Sequence, residues 1–122
     1  MRPLAAAAVG LLAAVLLTGA DEAMSVRDFL AIADRLPQNT TALLRPEGRR
    51  LVSEVTGAVS ALKAEQAADL RAGRRPAHCI PAGGTGISAH ALVNRFRSLP
   101  PARRNVTVAD AIRDWMAERH PC

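Results

Sequence analysis

Apolar residues recur at three- and four-residue steps through most of the chain, and no stretch alternates cleanly over the length of a strand. That spacing makes helices with one apolar stripe and argues against sheets. The first stripe is Val26, Phe29, Leu30, Ala33 and Leu36; the second is Leu51, Val55, Ala58, Val59 and Leu62, prolonged by Leu70. Two more follow: Leu92, Val93, Phe96 and Leu99, then Val108, Ala111, Ile112, Trp115 and Met116. Each stripe needs a neighbour to cover it, so the expected fold is all-α, a small helical bundle of about four main helices plus a short one. Val106-Thr107-Val108 is the one candidate for extended structure, and Thr107 is better placed as a helix cap.

Polar and proline residues mark the boundaries. Ser25-Val26-Arg27-Asp28 resembles a capping box, with Asp where Glu or Gln is usual, and opens the first helix. That helix is expected to end at Leu36-Pro37. Thr40 or Thr41 is expected to cap a short turn whose Ala42-Leu43-Leu44 face closes one end of the core. Pro46 suits the first turn of the next and longest helix, because proline has no N–H to lose there and its φ is already helical. Gly73 stops it. Gly57 inside it costs about 1 kcal/mol relative to alanine, and is the expected place of a close helix crossing. Ser88 then caps a helix that ends at Leu99-Pro100, with Ile87 before it able to staple onto Leu92. Thr107 and Asp110 open the last helix, which ends near Arg119. Between Arg74 and Gly86 the chain reads as an exposed loop without regular structure. Its Gly83-Gly84-Thr85-Gly86 is no phosphate loop, since no Gly-Lys-Ser/Thr follows and no strand precedes it.

The chain starts with a cationic Met1-Arg2-Pro3, an apolar run from Leu4 to Leu17, and Thr18-Gly19-Ala20 before an acidic pair. This is the layout of a secretory signal peptide with cleavage expected after Ala20, so residues 1–20 are leader and 21–122 the functional domain. The run is shorter than the roughly 20 residues a membrane-crossing helix needs, so no membrane attachment is expected once it is removed. The formal charge is +5, from 16 Lys and Arg against 11 Asp and Glu. Export and the shortage of aromatics both argue against nucleic acid: Phe29, Phe96 and Trp115 fall on apolar stripes, leaving none to stack on bases. Most of the charge is read as solvated surface.

Two cysteines in a small exported domain allow one intramolecular pairing, and a Cys79–Cys122 disulfide is expected. It would pin the last residue to the loop behind the longest helix. Zinc is the competing use, through His78-Cys79 and His120-Pro121-Cys122, but adjacent residues rarely converge on one tetrahedral ion. A Cys/His hydrolase would need Cys79 as a free thiolate, which the disulfide removes. Asp110, Asp114 and Glu118 line one helix face and are read as exposed. The expectation is a protein that is not an enzyme and holds no metal or cofactor.

The order of Cys79-Ile80-Pro81, Ser98-Leu99-Pro100, Val106-Thr107-Val108-Ala109-Asp110-Ala111 and a terminal His120-Pro121-Cys122 resembles the Rap/Tai family of type VI secretion amidase-immunity proteins. The similarity runs over the whole region after the leader. It implies a small helical periplasmic protein, often a homodimer, that binds a peptidoglycan-cleaving amidase effector delivered by neighbouring cells and blocks its active site. Blocking a cleft takes a rigid projection with little ordering cost on binding. The tethered loop Pro81, Ala82, Gly83, Gly84, Thr85 and Gly86 is the candidate, with Arg74 and Arg75 beside it to steer an acidic rim. The alternative is a non-inhibitory exported helical module, structural or stress-related, in the cell envelope.

Overall fold

The structure is a computed structural model that describes residues 23–122; the expected signal peptide and its cleavage point after Ala20 lie outside the described residues. Helix α1 spans Val26–Ala33, α2 Pro46–Arg71, α3 Ala89–Ser98 and α4 Val108–Arg119. A 3-10 turn, Thr40–Leu44, precedes α2, and a shorter one, Pro101–Arg103, follows α3. No strand occurs among the described residues, and no described helix is long and apolar enough to cross a membrane. The all-α expectation holds.

Ser25, Ser88 and Thr107 all cap as expected, their hydroxyls accepting from the N–H groups of Asp28, Ala91 and Asp110 at 3.0–3.1 Å. Each satisfies a donor that the first helical turn leaves orphaned. Two of these caps also meet one another. Ser25 and Thr107 form an isolated antiparallel bridge, so α1 and α4 start side by side. Val26 N–H donates to the Val106 carbonyl, Arg27 N–H to that of Arg104 and Val108 N–H to that of Met24, at 2.8–2.9 Å. The extended character of Val106-Thr107-Val108 is thus used to zip two helix starts together while Thr107 caps.

Around this junction Val26, Phe29, Leu62, Phe96, Val108, Ile112 and Met116 form the most buried part of one core. α1 is its hub, packing on α2, α3 and α4, and α2 packs on α4. On the surface of the α2–α4 contact, the Arg113 guanidinium holds both Glu65 carboxylate oxygens, Nη2 to Oε2 at 2.8 Å, and thereby lowers the Glu65 pKa. Such a half-exposed pair is worth about 1 kcal/mol or less.

Several expectations are corrected. α1 stops at Ala33 and not at Leu36; Arg35 and Leu36 donate to the carbonyls of Ile32 and Ala33, tightening the chain into a turn before Pro37, which disfavours helix in the residue ahead of it. Asn39, rather than Thr40 or Thr41, caps the 3-10 turn, its Oδ1 accepting from Thr41 N–H at 2.9 Å. That turn does not seal the core, for Leu43 and Leu44 are 54% and 75% exposed. Leu70, expected to prolong the α2 stripe, is also exposed.

The close approach on α2 is at Gly48, not Gly57. A Cβ on Gly57 would meet nothing, whereas one on Gly48 would press into the Ala42 carbonyl, 2.9 Å from its carbon. Opposite effects are therefore expected from two glycine replacements in one helix. Gly57→Ala should stabilise by about 0.5–1 kcal/mol through helix propensity, and Gly48→Ala should destabilise by about 1–3 kcal/mol as the 3-10 turn is pushed away. Urea unfolding of the two variants checks the signs.

Candidate functional site

The helix end that launches the loop is built by Gly73. With φ at +75° it reverses the chain, and Gly73 N–H donates to the Leu70 carbonyl while Arg74 N–H donates to that of Asp69 at 2.8 Å. This is a Schellman ending. Arg74 also pairs its guanidinium with the Asp69 carboxylate at 3.0 Å, and Arg75 Nη2 donates to the main-chain oxygen of Cys122 at 3.0 Å. Both arginines are exposed beside the loop, yet each already has an internal partner.

The next residues anchor the loop. The Cys79–Cys122 disulfide is present, with the two Cα atoms 5.0 Å apart, and Cys79 N–H donates to the His120 carbonyl at 2.8 Å. Pro76, His78 and Ile80 are buried, which corrects the reading of Arg74–Gly86 as an exposed loop throughout. Burial requires polar partners, and Gln66 on α2 supplies them. Its Oε1 accepts from Ile80 N–H at 2.7 Å and stands 3.2 Å from His78 Nδ1, while its Nε2 donates to the Ile80 carbonyl at 3.1 Å. Gln66 reads both main-chain groups of Ile80 as a sheet neighbour would.

Beyond Ile80 the chain emerges. Pro81, Ala82 and Gly83 are exposed, and Gly84 N–H donates to the Pro81 carbonyl at 3.0 Å, closing a turn that Gly84 completes at φ +112°. The far side is fastened again: the Thr85 carbonyl lies 3.0 Å from His120 Nε2, and Arg119 donates to the Thr85 and Gly86 carbonyls at 3.4 and 3.3 Å. Thr85 Oγ1 accepts from Ile87 N–H at 3.3 Å, so Thr85 stands half-buried at the base and not at the tip. Of the six loop candidates, Pro81, Ala82 and Gly83 make the projection, Gly84 and Thr85 its footing, and Gly86 remains exposed at its exit.

Gln66, His120 and Arg119 are the residues that sequence reasoning missed. Nothing local marks them, because each acts on a partner 14 or more positions away. With both sulfurs joined to one another, neither is free as a thiolate nucleophile or zinc ligand. Among the described residues, no group of three or more His, Cys, Asp and Glu side chains could hold a metal.

The fold and loop define a class: a small all-α domain, tied by one disulfide, that presents a short turn fastened at both ends. Comparison with protein-family models, curated proteins and solved structures found no match.

Proposed function

We propose that this is a periplasmic immunity protein that binds a peptidoglycan-cleaving amidase effector of type VI secretion and blocks its active site, as the resemblance to the Rap/Tai family suggests. The observation that supports it is the double anchorage of the Pro81–Gly83 turn: Gln66 and the disulfide on one side, Arg119 and His120 on the other. A projection already held in shape loses little conformational freedom on entering a cleft, which is where an inhibitor gains affinity over a flexible loop. Its small side chains allow the backbone to approach closely. Arg74, bound to Asp69, contributes a weaker field than a lone cation, so steering is the lesser part of this reading.

The test is capture from periplasm followed by a peptidoglycan-cleavage assay with the captured amidase. Ala82→Trp, at the exposed tip, is expected to weaken inhibition at least about tenfold, equivalent to about 1.4 kcal/mol, with an unchanged melting temperature. Thr85 is the wrong place for this probe, since a bulky residue there would break the footing. Unchanged inhibition by the Ala82 variant would move the interface elsewhere, and failure to capture or inhibit any amidase would leave the non-inhibitory envelope module.

A further inference from the structure

α1 packs against α2, α3 and α4, yet α2 and α3 do not form a packed pair. The gap between them is a cleft of about 650 Å³. Phe29, Leu51, Val55, Leu92 and Ile112 line its depth, Val52 and Val59 one wall, and Val93 the other. The Leu36–Leu43 segment bounds one end and Thr85–His90 the other. The sequence stripes look large enough only to fill one another; the structure shows that they do not, leaving Val52 49% exposed in the middle of α2.

The acids of α2 keep to the side away from this cleft. At about 100° per residue, Glu47, Glu54, Glu65 and Asp69 all lie about 100° or more from Val52, as do Arg50 and Arg71, whereas Arg49 and Lys63 fall within about 60° of it. Glu65 is engaged with Arg113 and Asp69 with Arg74 on that other side. A shallower hollow adjoins the cleft across Leu43, Val52 and Thr56, which line both, and Arg49 lines that hollow and not the cleft itself. Arg49 belongs to none of the ion pairs among the described residues and donates only to the Leu44 carbonyl, at 3.1 Å. Across the cleft Arg97 is matched by Asp34 at 2.7 Å, so among the described residues it is less available to an anion than Arg49.

We infer that this cleft binds a free fatty acid, its hydrocarbon chain laid between α2 and α3 and its carboxylate reaching over the shared Val52–Thr56 rim to Arg49 in the adjoining hollow. The volume is that of an ordinary small-ligand site, and the lining has the expected character, mostly apolar with a few polar groups at the rim. From Gly48 to Val59 the α2 wall runs about 16 Å, close to the ~15 Å that the acyl chains of one leaflet occupy, half of the ~30 Å hydrocarbon core. Arg49 presents a planar fork suited to a carboxylate. A cleft bounded at both ends suits a ligand of finite length better than a partner helix running through it.

Titration of the purified protein with dodecanoate, below its micelle concentration and followed by calorimetry, tests this. Saturable one-to-one binding is expected, with dodecyltrimethylammonium at least about tenfold weaker. Arg49→Glu should weaken dodecanoate about tenfold, and Val52→Glu and Thr56→Glu, both at exposed helix positions, at least as much, with helical circular dichroism retained. Absence of saturable binding, equal affinity for the cationic analogue, or full affinity in both the Val52 and Thr56 variants would overturn the proposal. So would a dimer that Val52→Glu dissociates without any dodecanoate binding, since the cleft would then be covered by a second copy of the chain.

Discussion

Joint replacement Cys79→Ser and Cys122→Ser is expected to lower the unfolding free energy by about 4 kcal/mol, and the melting temperature by on the order of 20 °C. The bond closes a loop between positions 43 residues apart, and releasing it returns that freedom to the unfolded chain. A domain of this size is expected to have roughly 5–10 kcal/mol in total, so the variant would be folded with little margin. The folded side of the balance changes as well. α4 ends at Arg119, so without the sulfur bond residues 120–122 are held by surface hydrogen bonds: Cys79 N–H to the His120 carbonyl and Arg75 to the Cys122 oxygen. The same tail carries the His120 ring that meets the Thr85 carbonyl. Fraying there would loosen both footings of the Pro81–Gly83 turn. Thermal melts by far-UV circular dichroism, with and without reductant, measure the first effect, and hydrogen exchange at the Ile80 amide the second. A melting temperature that hardly moved on reduction would mean that the unfolded chain is already compact around these residues.

What could be read in the sequence was whatever depends on near neighbours. A hydroxyl three residues ahead of the N–H it caps is a local fact, which is why Ser25, Ser88 and Thr107 were legible. The same holds for Pro46 at the start of α2 and Gly73 at its end. The disulfide was legible for a different reason, since two cysteines allow only one intramolecular pair. Periodicity told which residues face inward but not how far away the next helix stands. Leu43 and Leu70 were read as core-facing, yet they stand 54% and 58% exposed. Gly48 and Gly57 look alike in sequence; only the path of the 3-10 turn over α2 makes one crowded and the other open. At the loop, the exposed tip followed from glycine and proline, whereas its anchors required Gln66, Arg119 and His120 to arrive from other parts of the chain. Of the six loop candidates, three therefore project, and Thr85 turned out to be the footing.

Phe96→Ala is expected to cost about 3–5 kcal/mol, at the upper range for a single core truncation. Phe96 is fully buried, and its ring stands edge-on to Phe29 with centroids 5.1 Å apart and planes at 86°. That geometry adds about 0.5–1.5 kcal/mol to the transfer and cavity cost of the deleted ring. The position matters more than the count of lost atoms. α3 packs on α1, is not packed on α2, and meets α4 through Arg95, which pairs with Glu118 and stands 5.6 Å from the centre of the Trp115 ring, so the Phe96–Phe29 pair is a principal apolar hold on it. Surface contacts cannot substitute: the Arg97–Asp34 pair joining the same two helices is half-exposed, and such pairs contribute about 1 kcal/mol or less. Val93→Ala, on the cleft side of α3, provides the contrast, because a half-buried valine facing open space loses few contacts and should cost about 1 kcal/mol or less. Urea unfolding gives the two totals, and hydrogen exchange should show α3 amides opening first in the Phe96 variant alone. If Phe96→Ala cost no more than Val93→Ala, α3 would have to have moved toward α2 to fill the void, and the cleft would be a gap the helix can close rather than one the aromatic pair holds open.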